Sequence, residues 1–277
     1  MRGKRPGRMI ARIRAVLALT AIASSGLALA PVQAFIVKTG IGDPTILPQF
    51  WHRIVLGALG LRVTVHGKIA AERPLMLASN HISWSDILAI SSVAKVCFIA
   101  KSELGGWPIF GTLARLQRTV FVDRERRRKS GEQASELATR LARGDVMVLF
   151  AEGSTSDGNM IMPFKSTLFG AAEMAVREHA TEKVWIQPVA VSYVRLHGMP
   201  MGRQHRTLAA WMGDMDLIPH FLAILREGAI DVAIHFGEPA EFSAQSDRKL
   251  VTRRMEEEVR RMMASALRDT RRPIEAR

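Results

Sequence analysis

From residue 61 to residue 236 the chain repeats one arrangement: a short apolar, often β-branched run, then a longer stretch with helical spacing. Runs at 61–66, 75–79, 96–100, 119–122, 146–150, 184–193 and 230–236 are predicted as strands. Segments 86–94, 108–116, 131–142, 167–178, 217–227 and 248–267 are predicted as helices. Such alternation is the pattern of an α/β domain. No internal repeat or low-complexity linker interrupts it, so 41–245 is expected to form one large domain, followed by a helix and basic tail at 246–277.

Ligands of open α/β sheets bind beyond the carboxyl ends of the strands. The polar segments 80–86, 123–126 and 151–158 each follow a predicted strand and are expected to converge there. The first reads NHISWSD, with four residues between His81 and Asp86. An imidazole titrates near neutrality and can take a proton from a hydroxyl, and a carboxylate beside it orients the ring and stabilises the imidazolium. Asp86 equally suits the N-terminus of the helix that begins there. No Gly-x-Ser-x-Gly elbow, Walker loop or dinucleotide fingerprint occurs, and His197 and His205 sit in a Gly- and Met-rich loop without metal-ligand spacing. A serine hydrolase, a nucleotide-dependent enzyme and a metal centre are therefore not expected. Cys97, the only cysteine, cannot form an intramolecular disulfide and lies in an apolar run, where it is expected in the core.

Residues 15–37 form an uncharged, mostly apolar stretch that approaches the roughly 20 residues needed to cross a bilayer. Six basic residues precede it and no acid does, which by the positive-inside tendency keeps the N-terminus cytoplasmic. Residues 1–40 are thus expected to be a basic N-terminus and membrane anchor, with Pro31 either kinking the helix or letting it enter one leaflet. A cleaved secretory signal, with Ala28-Leu29-Ala30 as its processing site, fits the same composition. Residues 46–60 are expected to form an amphipathic helix, with Trp51, Ile54, Leu56 and Leu59 facing either a membrane or the core. The net charge of +13 suits anionic lipid or an acidic carrier. Aromatics make up 6% of the chain and do not interleave with the basic clusters, so nucleic acid is not an expected partner.

Four blocks, in order, resemble the glycerolipid acyltransferases, a family that includes lysophosphatidic acid acyltransferases. They are Asn80-His81 through Asp86; Val120-Phe121-Val122-Asp123-Arg124; Phe150-Ala151-Glu152-Gly153-Ser154-Thr155-Ser156; and Ile186-Gln187-Pro188-Val189-Ala190. The intervening KSELGGWPIFG is also similar to that family. The resemblance implies a mixed, largely parallel sheet flanked by helices, and an O-acyltransferase at the cytoplasmic face of the inner membrane. It would move a fatty acyl group from acyl carrier protein or coenzyme A thioesters to a lysolipid hydroxyl, with no cofactor and no metal. By the same resemblance His81 is the general base, Asp86 holds its ring, and Glu152 and Gly153 shape the site where acceptor and thioester meet. Arg124 would bind an anionic group, with Asp123, Ser154, Thr155 and Lys165 as further substrate-binding candidates. Read as residues alone, Arg124 also fits an exposed basic run, and Glu152 fits turn chemistry at Gly153. The family arginine associated with acceptor phosphate is replaced here by Thr155, which cannot supply a bidentate charged contact. Segments 154–172 and 210–220 look like the bacterial branch acting on lyso-ornithine lipid. That resemblance offers Asp157 or Asp214 for an ammonium, and Lys165 or Arg124 for a carboxylate. Arg118 and Lys165 would instead keep a phosphate acceptor possible.

Overall fold

The computed structural model describes residues 6–122, 127–178, 182–213 and 215–269, with side chains described from residue 11 onward except at 127–134 and 178. In chain order come helices α1 (Pro6–Thr39) and α2 (Ile46–Leu59), then β1 (Leu61–His66) and β2 (Leu75–Ser79). Next are α3 (Ser85–Val93), β3 (Cys97–Lys101), α4 (Pro108–Leu116), β4 (Val120–Val122), α5 (Arg127–Ala142) and β5 (Met147–Phe150). The chain continues through α6 (Gly170–Glu178), β6 (Lys183–Leu196), β7 (Met199–Pro200), α7 (Arg203–Arg206) and α8 (Leu217–Glu227). It ends with β8 (Ile230–Phe236), β9 (Ala240–Ser243) and α9 (Arg248–Arg268).

The main strand order is β1-β8-β6-β2-β5-β3-β4. Strands β6, β2, β5, β3 and β4 run parallel, as do β1 and β8, while β8, β9 and β7 pair antiparallel to β6. The expected mixed, largely parallel sheet is therefore present. Strand β6 is longer than its predicted run because it serves two partners on one edge: its first residues pair with β9 and its later ones with β8.

Both faces of the sheet are covered. Leu75, Leu77, Val148 and Phe150 enter the core on the side of α2, α3 and α8, and Met76, Ala78, Met147 and Leu149 enter the opposite core with α5, α6 and α9. This is the side-chain alternation of a strand, with apolar residues at both phases because helices lie on both faces. Cys97 is buried in the second core. In α2, Leu56 and Leu59 are buried, so that helix spends much of its apolar face on the core. Helix α9 inserts Met255, Val259, Met262 and Met263 into the second core, so the C-terminal helix completes the domain.

Helix α1 runs unbroken through Pro31, and its 34 residues reach about 50 Å at 1.5 Å per residue. Its stretch Ala11–Thr39 is long and apolar enough to cross a membrane. Leu17 and Leu27 are 65% and 78% exposed, so this is no core helix of the domain. The helix is nonetheless fastened at two points. Arg14 donates from Nη2 to the Leu225 and Arg226 carbonyls at the end of α8, at 2.8 and 2.6 Å. The buried Gln33 amide donates to the Pro44 and Leu116 carbonyls at 2.8 and 2.7 Å, the second at the end of α4.

Candidate active site

The carboxyl ends of β2 and β5 point the same way, and the segments leaving them are joined through their main chains. Parallel register sets Ser79 opposite Phe150. Beyond that pair, the Ala151 N–H donates to the Ser79 carbonyl at 2.9 Å, and the Ser156 N–H donates to the His81 carbonyl at 2.8 Å. The Ser156 hydroxyl reaches the same carbonyl at 3.2 Å. Residues 80–86 and 151–156, about seventy positions apart, thus occupy one place.

The His81 ring is fixed on two sides. Its Nδ1 lies 2.9 Å from Asp86 Oδ2, and its face stacks on Phe150 with centroids 3.8 Å apart and planes 14° from parallel. Only 16% of the side chain is exposed, and Nε2 has no partner among the described residues. With Nδ1 turned to a carboxylate, Nε2 is the ring nitrogen left open to a ligand.

Asp86 is fully buried in the first turn of α3 and is surrounded by donors. Besides the His81 ring, its Oδ2 accepts the N–H groups of Ile82 and Ser83 at 2.6 and 2.9 Å, and its Oδ1 accepts the Tyr193 hydroxyl at 2.7 Å. The carboxylate thus meets the His81 ring from the first turn of α3, and it bonds the Ile82 and Ser83 N–H groups ahead of the helix rather than capping the helix itself. Ser85 Oγ sits 2.6 Å from the same phenolic oxygen. Burial, and then the neighbouring Asp86 charge, push the Tyr193 hydroxyl well above its ordinary range, so it remains a donor to that carboxylate. Asn80 closes the opposite side, donating to the Val191 carbonyl at 3.0 Å and accepting the Val191 N–H at 2.8 Å.

Glu152 lies behind His81 and is 1% exposed. Its two oxygens accept the His81 N–H at 2.9 Å and the Met162 N–H at 3.0 Å. Burial pushes its carboxyl up to about 7, against the pull of those two donors. Gly153 follows at φ 77°, a left-handed conformation natural to glycine, and lets the chain turn back toward His81.

The remaining candidates divide. Ser154 is exposed and Thr155 half-buried on the same turn. The backbone N–H groups of both make no intramolecular hydrogen bond among the described residues. Lys165 ties its own N–H to the Ala151 carbonyl at 2.9 Å and leaves its side chain exposed. Asp123, Arg124 and Asp214 lie outside the described residues. Arg118 is not available as a substitute cation. It forms a two-pronged pair with Asp145 at 3.2 and 2.9 Å, ahead of β4 and β5 and so at the opposite end of these strands. Several contributors carried no clear signal in the sequence: Tyr193, Ser85, the Phe150 face, and a Trp84 indole that donates to His220 Nδ1 at 2.9 Å. The one available clue was that Tyr193 is the only tyrosine, set in an apolar strand where its hydroxyl needs a partner.

Known proteins are similar to this chain in sequence and in fold. The family model described as Acyltransferase matches residues 62–192. A lyso-ornithine lipid O-acyltransferase of Brucella abortus (strain 2308) is 52% identical over 259 residues, covering 94% of this chain and 97% of the relative. A protein of the same name from Rhizobium meliloti (strain 1021) is 48% identical over 260 residues, covering 94% and 89%. Among solved structures, the 1-acyl-sn-glycerophosphate acyltransferase PlsC of Thermotoga maritima matches with a TM-score of 0.63 at 19% identity, over 92% of this chain and 97% of that one, a likeness of fold.

Proposed function

We propose a specific reaction for this chain, which belongs to the acyltransferase family and is an acyltransferase: transfer of a fatty acyl group from an acyl thioester to the hydroxyl of lyso-ornithine lipid. The observation that carries the chemistry is the His81 ring, locked through Nδ1 onto Asp86 with Nε2 left free. His81 Nε2 takes the acceptor's hydroxyl proton as its oxygen attacks the thioester carbonyl carbon. The C–S bond then breaks, and the proton held on His81 passes to the departing thiolate. No acyl-enzyme is required. Asp86, held in place by the four donors around it, balances the charge of the transient imidazolium. General-base help of this kind is worth about 10²–10⁴-fold. The unpaired N–H groups of Ser154 and Thr155 are suited to the developing oxyanion, where one donor contributes about 3–4 kcal/mol.

The acceptor follows from the relatives, which carry that activity in their names over nearly the whole chain, and from Thr155, a neutral residue on the active-site turn. The donor is an acyl carrier protein or coenzyme A thioester, whose acidic character suits the exposed Lys101 and Lys165 near these strand ends. Helix α1, fastened to the domain by its Arg14 and Gln33 contacts, holds the enzyme at the cytoplasmic face of the inner membrane. The test is to incubate purified full-length protein with a labelled acyl thioester and, in parallel, lyso-ornithine lipid and lysophosphatidate. Labelled ornithine lipid is the expected product. Labelling of phosphatidate alone overturns the acceptor assignment, and labelling of neither overturns the reaction.

A further inference from the structure

His81 and Asp86 act on a hydroxyl whatever lipid carries it, so selection of the acceptor has to come from groups nearby. Two opposite charges stand on the segments attached to this pair and do not close on each other. The loop after Glu152 runs over His81: Ser156 bonds the His81 carbonyl, and Gly158, at φ 74°, packs so near Ile82 that a Cβ there would lie 3.2 Å from its Cγ2. Helix α7 is attached to this loop. The Asn159 amide donates to the Arg203 carbonyl at 3.3 Å and to Asp157 Oδ2 at 3.0 Å. Arg206 donates to Asn159 Oδ1 at 2.7 Å and to the Met201 carbonyl at 3.2 Å, so its guanidinium is committed to holding the assembly. The segment then returns to the site, where the Trp211 N–H donates to the Ile82 carbonyl at 2.9 Å.

Within this frame Asp157 accepts only from its own loop and has no cation within 4 Å among the described residues. Arg203 is exposed, and its guanidinium makes no hydrogen bond or ion pair among the described residues. The two nonetheless share a field. Partial burial raises the Asp157 carboxyl, the Asn159 hydrogen bonds outweigh that, and the Arg203 charge adds to the lowering. A half-buried anion and an exposed, unpaired cation, tied to one Asn159 amide, match a ligand that carries an ammonium and a carboxylate.

We propose that Asp157 and Arg203 form the head-group subsite of the acceptor, Asp157 taking the ammonium and Arg203 the carboxylate of a phosphate-free, zwitterionic lysolipid. This rests on the acceptor reading above and adds the residues that enforce it. Asp157 also repels a phosphate dianion, so one side chain both attracts the right head group and discourages the wrong one.

The experiment compares lyso-ornithine lipid with the same lipid built on norvaline, which keeps the carboxylate and lacks the ammonium. For the wild type, KM for the norvaline acceptor should be about ten- to a hundredfold higher with little change in kcat, the scale of one charge-assisted hydrogen bond. Asp157→Asn keeps an oxygen for the Asn159 N–H. It should raise KM for lyso-ornithine lipid by a similar factor and erase the preference for ornithine over norvaline. Arg203→Gln should raise KM for both acceptors alike and preserve that preference. If Asp157→Asn slows both acceptors equally, or changes neither, the subsite is overturned while the acceptor reading stands. If the wild type does not acylate lyso-ornithine lipid at all, the acceptor reading has failed and the subsite falls with it.

Discussion

Glu152 offers a test of the site's interior that is independent of turnover. Its carboxyl is raised from an ordinary 4.5 to about 7, first by burial. A carboxyl raised in the folded state is favoured in its protonated form. That contribution to stability is fully present below pH 4.5 and disappears as pH rises through 7. Evaluated between pH 5 and pH 8, the loss is about 2.5 kcal/mol, and little solvent screening intervenes because the group is 1% exposed. Glu152→Gln removes the titration. Its amide oxygen can still accept one of the two N–H groups now served, from His81 or Met162, while its NH2 meets the other donor. That mismatch costs roughly 1–3 kcal/mol at every pH. Denaturant unfolding of both proteins in the same detergent, followed by circular dichroism, should therefore show the wild type more stable at pH 5 and its advantage shrinking by about 2.5 kcal/mol by pH 8. An advantage that stays constant within about 1 kcal/mol across this range would refute the claim that Glu152 holds a proton near neutrality.

Asp86→Asn can keep the Ile82 and Ser83 N–H groups on its amide oxygen while Tyr193 turns to accept from its NH2. It should fold and yet lose about 10²–10⁴-fold in turnover, because a neutral amide does not stabilise the imidazolium. Acyl-transfer assays beside near-ultraviolet circular dichroism separate the two effects, and undiminished turnover would contradict the role given to His81. Leu27→Glu places a carboxylate on the exposed face of α1, where a central charge costs about 2.5–3.5 kcal/mol in a bilayer. Vesicle flotation should show a large loss of bound protein, and unchanged flotation would mean that this face does not meet lipid.

Much of the architecture was legible because strands and helices carry different periods. β1, β2 and β8 begin and end where their apolar runs do, and α4 and α8 match their helical spacing. What escaped were elements whose existence depends on neighbours. β9 is four residues long and exists because β6 has a free edge beside it. α7 is a single turn in a segment whose Gly and Met content reads as loop. The site divides along the same line. His81, Asp86 and Glu152 could be named from their place after strands and from family resemblance. Tyr193, 107 positions from Asp86, is brought to it only by the pairing of β6 with β2. Arg203 was invisible for the same reason, since nothing in its surroundings hints that it stands beside Asp157.

The backbone fastening between the His81 and Ser156 segments has an evolutionary consequence. The proposed base, His81, is held by main-chain bonds, by Asp86 and by Glu152, none of which depends on what stands at 154, 155, 157 or 203. A descendant gene can exchange those side chains one at a time and trade one lipid head group for another. Throughout such a history the proton-transfer machinery would stay where it was, so new selectivity could arise by point mutation on an inherited scaffold.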